Sequence, residues 1–261
     1  MKIVFPEYQN PTIQSALAEI QTKRATIPGF LPDTSEIIPL PASSLAEACQ
    51  MVKAGHADTM IAGIDYSSRD VILACKDILG FSGQTFSGLA VMQRGAEVYL
   101  LADMAACKHP TAEQLIEIVQ QTYASAKQLL SDSPRIALLS FSTLGSGGHD
   151  TTIDLMRTVR QAFTNTEILI DGEMQLDAAI NPRVGEKKAP QSPVAGQANI
   201  LIAPDLNTGN ILYKAFEQLA GFTVAGPILQ GFNFPVSDLS RGSTVADVVL
   251  TIEAMARLAH H

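Results

Sequence analysis

Short apolar runs of strand length alternate with longer segments of helical periodicity along nearly all of this chain, and polar or glycine-bearing turns separate them. This alternation constrains the fold more than any other feature, because strand, helix and strand joined by tight turns close into a parallel sheet with helices on its faces. Residues 2–5 read as a buried strand, and 12–23 as a helix with Ile13, Ala16, Leu17 and Ile20 on one face. Pro28, Pro32, Pro39 and Pro41 then mark a connection without regular structure. Ser43 or Ser44 caps a helix over 45–53 that Gly55 ends, and 59–62 is the next strand. Ser67-Ser68-Arg69-Asp70 opens a helix running to Leu79-Gly80. Residues 84–92 and 97–102 alternate as a hairpin turning at Arg94-Gly95, and Thr111 caps a helix over 112–130. Further strands fall at 135–141, 167–170, 200–203 and 222–225, with helices at 151–163, from about 206 to Gly221, and from Val245. The fold class is α/β.

The chain has 261 residues, 46% of them hydrophobic, enough for one large domain or two compact ones without staples. Its three cysteines, Cys49, Cys75 and Cys107, are odd in number and lack CxxC spacing, which speaks against disulfides and a zinc site and for a reducing cytoplasm. The opening Met1-Lys2-Ile3-Val4-Phe5-Pro6 is too short for a signal peptide, and no apolar run is long enough to span a bilayer. A formal charge of −8 makes nucleic acid and anionic membranes poor partners. An anionic substrate must therefore be caught by local positive charge, and each arginine is worth inspecting.

Residues 204–247 hold the most concentrated chemistry. Asp205, Asn207, Thr208 and Gly209 form a polar corner before a helix whose first turns carry Asn210. Past Pro235 comes Ser237-Asp238-Leu239-Ser240-Arg241-Gly242-Ser243-Thr244, directly ahead of another helix. An arginine among hydroxyls and a glycine at a helix start suits an anion, since backbone N–H groups and the guanidinium fork point at the same place. Ser67, Ser68 and Arg69 leave a strand at its C-terminal edge, where ligands of open α/β sheets bind. Ser142-Thr143-Leu144-Gly145-Ser146-Gly147-Gly148 could cradle phosphate through its amides, but it has neither a triphosphate-loop nor a dinucleotide order, and a structural turn is the plainer reading. Asp171, Glu173 and Asp177 lack a histidine at ligand spacing, so no metal is expected. The five histidines are scattered without a Ser or Cys partner, and His260 and His261 end the chain. Residues 181–198, with Arg183, Lys187 and Lys188, are the most basic stretch and read as a solvated loop.

The wording DLSRGSTVAD resembles the C-terminal signature of the phosphate acetyltransferase and phosphate butyryltransferase family, closer to the acetyl branch. Asp171-Gly172-Glu173-Met174-Gln175-Leu176-Asp177-Ala178-Ala179 and Ser192-Pro193-Val194-Ala195-Gly196-Gln197-Ala198-Asn199 support the likeness, which is strong after about residue 100 and weak before 85. The resemblance implies two α/β/α three-layer domains of isocitrate/isopropylmalate dehydrogenase type, with a cleft between them. Breaker-rich crossings at 80–83 and Gly226-Pro227 would make residues 1–83 plus 228–261 one domain and 84–227 an inserted second. The implied reaction is reversible acetyl transfer between acetyl phosphate and coenzyme A by direct thiolate attack, with coenzyme A a substrate, inorganic phosphate a product and no bound cofactor. The family's usual state implies a homodimer. Ser67, Ser68, Arg69, Ser142, Thr143, Gly145, Ser146 and Asn210 would bind substrate, Arg241 and Ser240 would hold the acyl phosphate, and Asp247 matches the family's proposed base.

A thiol near pKa 8.5 needs such a base, and an unperturbed Asp is about 4–5 units too weak. Departures from the family pattern are an absent arginine near residues 10–12, with none before Arg24, and Leu73 where an arginine is usual, Arg69 standing one turn earlier. They leave open a weakened homologue that binds acyl phosphate or coenzyme A. Unread pocket volume leaves open a butyryl-type acyltransferase. A nicotinamide-dependent dehydrogenase of similar fold is disfavoured by the missing dinucleotide fingerprint.

Overall fold

The computed structural model describes residues 1–22, 27–33 and 35–259. The expected helix end at Lys23, together with Arg24, His260 and His261, lies outside them. The elements run β1 (Lys2–Phe5), α1 (Pro11–Thr22), β2 (Ile38–Pro41), α2 (Leu45–Lys53), β3 (Thr59–Ala62), α3 (Ser68–Ile78), β4 (Ser87–Arg94) and β5 (Glu97–Ala102). Then follow α4 (Ala112–Leu129), β6 (Arg135–Leu139), α5 (Thr151–Gln161), β7 (Leu169–Met174), α6 (Leu176–Ile180) and α7 (Pro182–Lys188). The last elements are β8 (Ile200–Ile202), α8 (Leu206–Gln218), β9 (Thr223–Gln230), β10 (Val236–Asp238) and α9 (Val245–Leu258).

All the strands join one ten-stranded sheet in the order β2-β1-β3-β10-β9-β4-β5-β8-β6-β7. Parallel pairs β1·β2, β1·β3 and β3·β10 form one end, and parallel pairs β5·β8, β6·β8 and β6·β7 the other. Antiparallel pairs β10·β9, β9·β4 and β4·β5 stitch the ends together, with a register shift between Leu89 and Val91. The polar turns therefore gather at the C-terminal edge of the parallel strands, where βα loops emerge.

Three differences from the sequence reading have physical causes. The proline-rich connection contains a strand, β2, which occupies the sheet's edge. Edge strands tolerate prolines because only one side needs ladder donors. The expected crossing at Gly226-Pro227 lies inside β9, so the chain passes there as sheet. The basic excursion folds Pro182–Lys188 into a short helix whose N-cap Asn181 accepts from the Arg183 and Val184 amides.

The helices cover both faces of the sheet. On one face Ile13 and Leu17 of α1, Leu115 and Ile118 of α4, Met156 of α5, and Val248 and Ile252 of α9 belong to a single core. On the other face there are two cores. Ala48, Val52, Val71 and Cys75 bring α2 and α3 onto one end, while Ala178, Tyr213 and Phe216 bring α6 and α8 onto the other. A groove separates them.

Candidate active site

The groove contains a cavity of about 210 Å³ lined by Gly63, Tyr66 and Ser68 of the β3–α3 loop, Met104 and Ala105 after β5, Asn210 and Tyr213 of α8, Pro227 of β9, and Leu239, Ser240 and Arg241 after β10. Five separate segments thus converge on one small polar space. Arg241 is exposed and makes no hydrogen bond or ion pair with any described residue, so its planar fork is free for an anion. Ser240 Oγ accepts from the Gly242 amide at 3.3 Å and rounds the turn that carries the arginine. A second, larger cavity of about 880 Å³ adjoins through Tyr66 and is walled by Pro6, Tyr8, Asn10, Pro11 and Pro41 with the carboxylates Glu7, Glu47 and Asp65. No basic side chain of the described residues lines it.

Buried carboxylates shape these loops. Glu7 accepts from the Gly63 amide at 2.8 Å, Asp65 at 2.5 Å and Tyr66 at 2.8 Å, and so holds the turn that places Tyr66 and Ser68. Asp103 does the same after β5: it accepts from the amides of Gly88 at 2.8 Å, Ala105 at 2.9 Å and Cys107. Gly209 of α8 then presses on this turn, and a Cβ there would lie 2.0 Å from the Asp103 carbonyl oxygen. Close approach lets Asn210 Nδ2 donate to the Met104 carbonyl at 3.3 Å. Sequence reading missed Glu7 altogether. The only local signal was an acid within two residues of a strand's end.

Asp247 behaves like these acids. It is buried, its Oδ1 accepts from the Val224 amide at 3.0 Å, and its Oδ2 accepts from the Thr244 amide at 2.8 Å and hydroxyl at 2.7 Å. With the Thr244 hydroxyl accepting from the Asp247 amide, this is a reciprocal capping box at the start of α9. The expectation of a base facing the groove meets a different geometry: three donors already occupy a carboxylate with about four acceptor sites. Asp247 does not line the cavity with Arg241.

The other candidates divide in two. Ser68, Asn210, Ser240 and Arg241 come together around the cavity. Ser67 instead caps α3, accepting from the Asp70 amide at 3.2 Å, and Arg69 lies on the exposed side of that helix outside the cavity lining. Ser142, Thr143, Gly145 and Ser146 gather elsewhere, around Glu173. Its carboxylate accepts from the Ser142 hydroxyl at 3.0 Å and the Gly145 amide at 2.6 Å, and Arg157 Nε donates to it at 3.1 Å. Burial works to raise the Glu173 pKa, but the Gly145 amide, the Ser142 hydroxyl and Arg157 hold it below the usual carboxylate value. The loop expected to cradle phosphate is thus already wrapped around an internal anion. Asp171 and Asp177, which with Glu173 formed the acidic trio of the sequence, pair separately with Arg160 at 3.1 Å and Lys188 at 2.8 Å.

A family model described as phosphate acetyl/butaryl transferase matches residues 32–256, which is most of the chain. The chain belongs to this family. A phosphate acetyltransferase of Thermoanaerobacterium thermosaccharolyticum is 42% identical over 218 residues, covering 80% of this chain and 66% of that protein. One of Treponema pallidum is 41% identical over 218 residues, covering 77% of this chain and 64% of that protein. The chain therefore spans about two thirds of the length of the curated relatives it matches. A solved phosphotransacetylase from Streptococcus pyogenes superposes with a TM-score of 0.79 at 33% identity, covering 99% of this chain and 94% of that one. In the transferase family frame, DLSRG of the signature maps to the end of β10 and the turn that offers Arg241 to the groove.

Proposed function

We propose that this chain is a phosphate acetyltransferase, moving an acetyl group reversibly between acetyl phosphate and coenzyme A by direct attack of the thiolate. The observation that carries the reading is the uncommitted Arg241 guanidinium, set with Ser240, Ser68 and Asn210 around a cavity of small-molecule size. The phosphoryl oxygens sit on Arg241 and Ser240, where a cation and a hydroxyl offset the charge that grows on the leaving phosphate. The larger adjoining cavity receives the body of the thiol substrate past Tyr66. Asp247 fixes the Ser240–Thr244 turn through its capping bonds and so aims Arg241. Ser67 and Arg69 frame the same loop. Ser142, Thr143, Gly145 and Ser146 hold Glu173 and shape the second half.

The rest of the reading follows the family. Residues 1–83 with 228–261 and residues 84–227 act as two domains flanking the groove, and the enzyme works as a homodimer in the cytoplasm. Free Cys49, Cys75 and Cys107 suit a reducing compartment, and the exposed Phe141, Ile211 and Leu219 are apolar surface that a partner copy would cover. No described helix is long and apolar enough to cross a membrane. The acidic wall of the larger cavity favours one second reading, a homologue that holds coenzyme A weakly.

Initial rates of acetyl-coenzyme A formation decide between these. Wild type is expected to turn over, and Arg241→Ala to lose about a hundredfold or more in kcat/KM. Equal rates for the two, or ligand binding by wild type without turnover, would reject the assignment.

A further inference from the structure

We propose that Met104 sets the longest acyl chain this site accepts, by closing the apolar end of the Arg241 cavity against groups much larger than acetyl. This rests on the proposed acyl transfer and names the residue that limits its substrate. The walls of the cavity divide by chemistry across the groove. Ser68, Ser240 and Arg241 come from the β3 and β10 end of the sheet and carry hydroxyls and a cation. Met104, Ala105 and Tyr213 come from the β5 and α8 end and present mostly hydrocarbon. With the phosphoryl group held on Arg241, the acyl chain extends away from that charge and meets the apolar wall.

Of these three wall residues, Met104 alone combines length with freedom from any polar duty of its side chain. Ala105 is short. The Tyr213 hydroxyl accepts from Lys214 Nζ at 2.7 Å, and the same ammonium lies 4.6 Å from the ring centroid, so the ring is held in place. Asn210, one turn earlier on that helix, donates to the Met104 carbonyl at 3.3 Å and thereby steadies the methionine.

The turn that carries Met104 is clamped from two sides. Its amide donates to the Gly88 carbonyl at 3.2 Å, and Asp103 ahead of it accepts from the Gly88 amide at 2.8 Å and the Ala105 amide at 2.9 Å. Both neighbours press on the turn where they lack a side chain: a Cβ at Gly88 of β4 would stand 2.4 Å from the Ala105 Cβ, and one at Gly209 of α8 would stand 3.2 Å from the Met104 Cα. The Met104 side chain is 1% exposed and shares a core with Met92, Leu101 and Tyr213. Interiors are close-packed, so a thioether there has no space into which to retreat. A chain longer by one or two methylenes must displace Met104 or stay unburied. The cavity volume of about 210 Å³ agrees, since most ligand pockets run to roughly 300–1,000 Å³.

The test is a set of initial rates with acetyl, propionyl and butyryl phosphate, each with coenzyme A, for wild type, Met104→Ala, Met104→Val and Met104→Leu. One methylene in an apolar pocket is worth about 10–200-fold in discrimination, so wild type should favour acetyl over butyryl phosphate by about a hundredfold or more in kcat/KM. Met104→Ala should raise kcat/KM for butyryl phosphate, chiefly through a lower KM, and lower it for acetyl phosphate, shifting their ratio by about 10–100-fold. Met104→Leu, of similar volume, should hold the ratio to within about threefold of wild type. A merely structural role would lower all three rates alike and leave the ratio unmoved. Should Met104→Ala fail to fold, Met104→Val removes less of the side chain and should still shift the ratio by about tenfold. An unmoved ratio in either folded variant overturns the role of Met104 and leaves the proposed acetyl transfer standing. A wild type that uses butyryl phosphate as readily as acetyl phosphate overturns the limit itself and makes the enzyme a broader acyltransferase. Absence of turnover with every acyl phosphate overturns the proposed function, and the limit with it.

Discussion

Replacing Glu7 by alanine tests the claim that a single carboxylate holds the β3–α3 turn. It removes three charge-assisted hydrogen bonds, from the amides of Gly63, Asp65 and Tyr66. Each is worth about 1.5–3 kcal/mol when its donor is left unpaired. The Gly63 amide is buried and counts in full, whereas Asp65 is exposed and Tyr66 half-buried, so water replaces about half of each of those bonds. The expected loss is about 3–6 kcal/mol, a large share of the roughly 5–15 kcal/mol typical of a folded domain. With a urea slope of about 3 kcal/mol per M the unfolding midpoint falls by roughly 1–2 M. Glu7→Gln keeps the shape and one acceptor oxygen and should fall between the two. In the folded variant, KM for acetyl phosphate should rise, because Tyr66 and Ser68 leave their places around the cavity. A midpoint shift equivalent to under about 1 kcal/mol would refute the reasoning, since no arrangement of three lost charged bonds is that cheap.

Two more expectations follow from the same contacts. Gly63→Ala forces a Cβ to within 2.2 Å of Asp238 Oδ1 and 2.7 Å of the Leu239 carbonyl oxygen at a positive φ. A loss of about 2–4 kcal/mol in chemical denaturation is expected, and a neutral substitution would show that Asp238 does not sit against this residue. Glu173→Gln should cost about 2–3 kcal/mol at pH 7. Because the folded Glu173 pKa lies below its unfolded value, that stabilisation is full above the unfolded pKa of about 4.5 and fades as pH falls through the folded one. Denaturation curves of the two proteins should therefore converge in acid, and a gap that widened there would contradict the sign.

Local signals in the sequence were enough for elements whose hydrophobic period and caps agree. The Arg94-Gly95 hairpin, the Thr111 cap and the start of α9 at Val245 fall where the residues place them. The edge strand β2 was hidden by Pro39 and Pro41, which argue against a strand except at a sheet's rim. The short β10 was hidden by its polar text, since Ser237 and Asp238 are buried only by the neighbours β3 and β9. At the site, Arg241, Ser240, Ser68 and Asn210 were legible as residue types suited to an anion. Glu7 was not, because it acts on amides 56 to 59 residues away and nothing beside it in the chain announces the contact. Asp247 is the opposite case: its motif was plain, and only the structure shows its carboxylate accepting from its own helix cap and from the Val224 amide of β9.

The passage of β9 through Gly226-Pro227 has a mechanical consequence. Were the two halves joined by flexible tethers, the cleft could gape by swinging about them. Here the joint is a ladder of backbone bonds between β4 and β9, flanked by β10 and β5, so a wide swing would have to tear sheet. For the proposed enzyme, admission and release would then fall to what borders the opening: the Tyr66 turn, the Arg241 turn and the exposed first turn of α3, small parts on a stiff base.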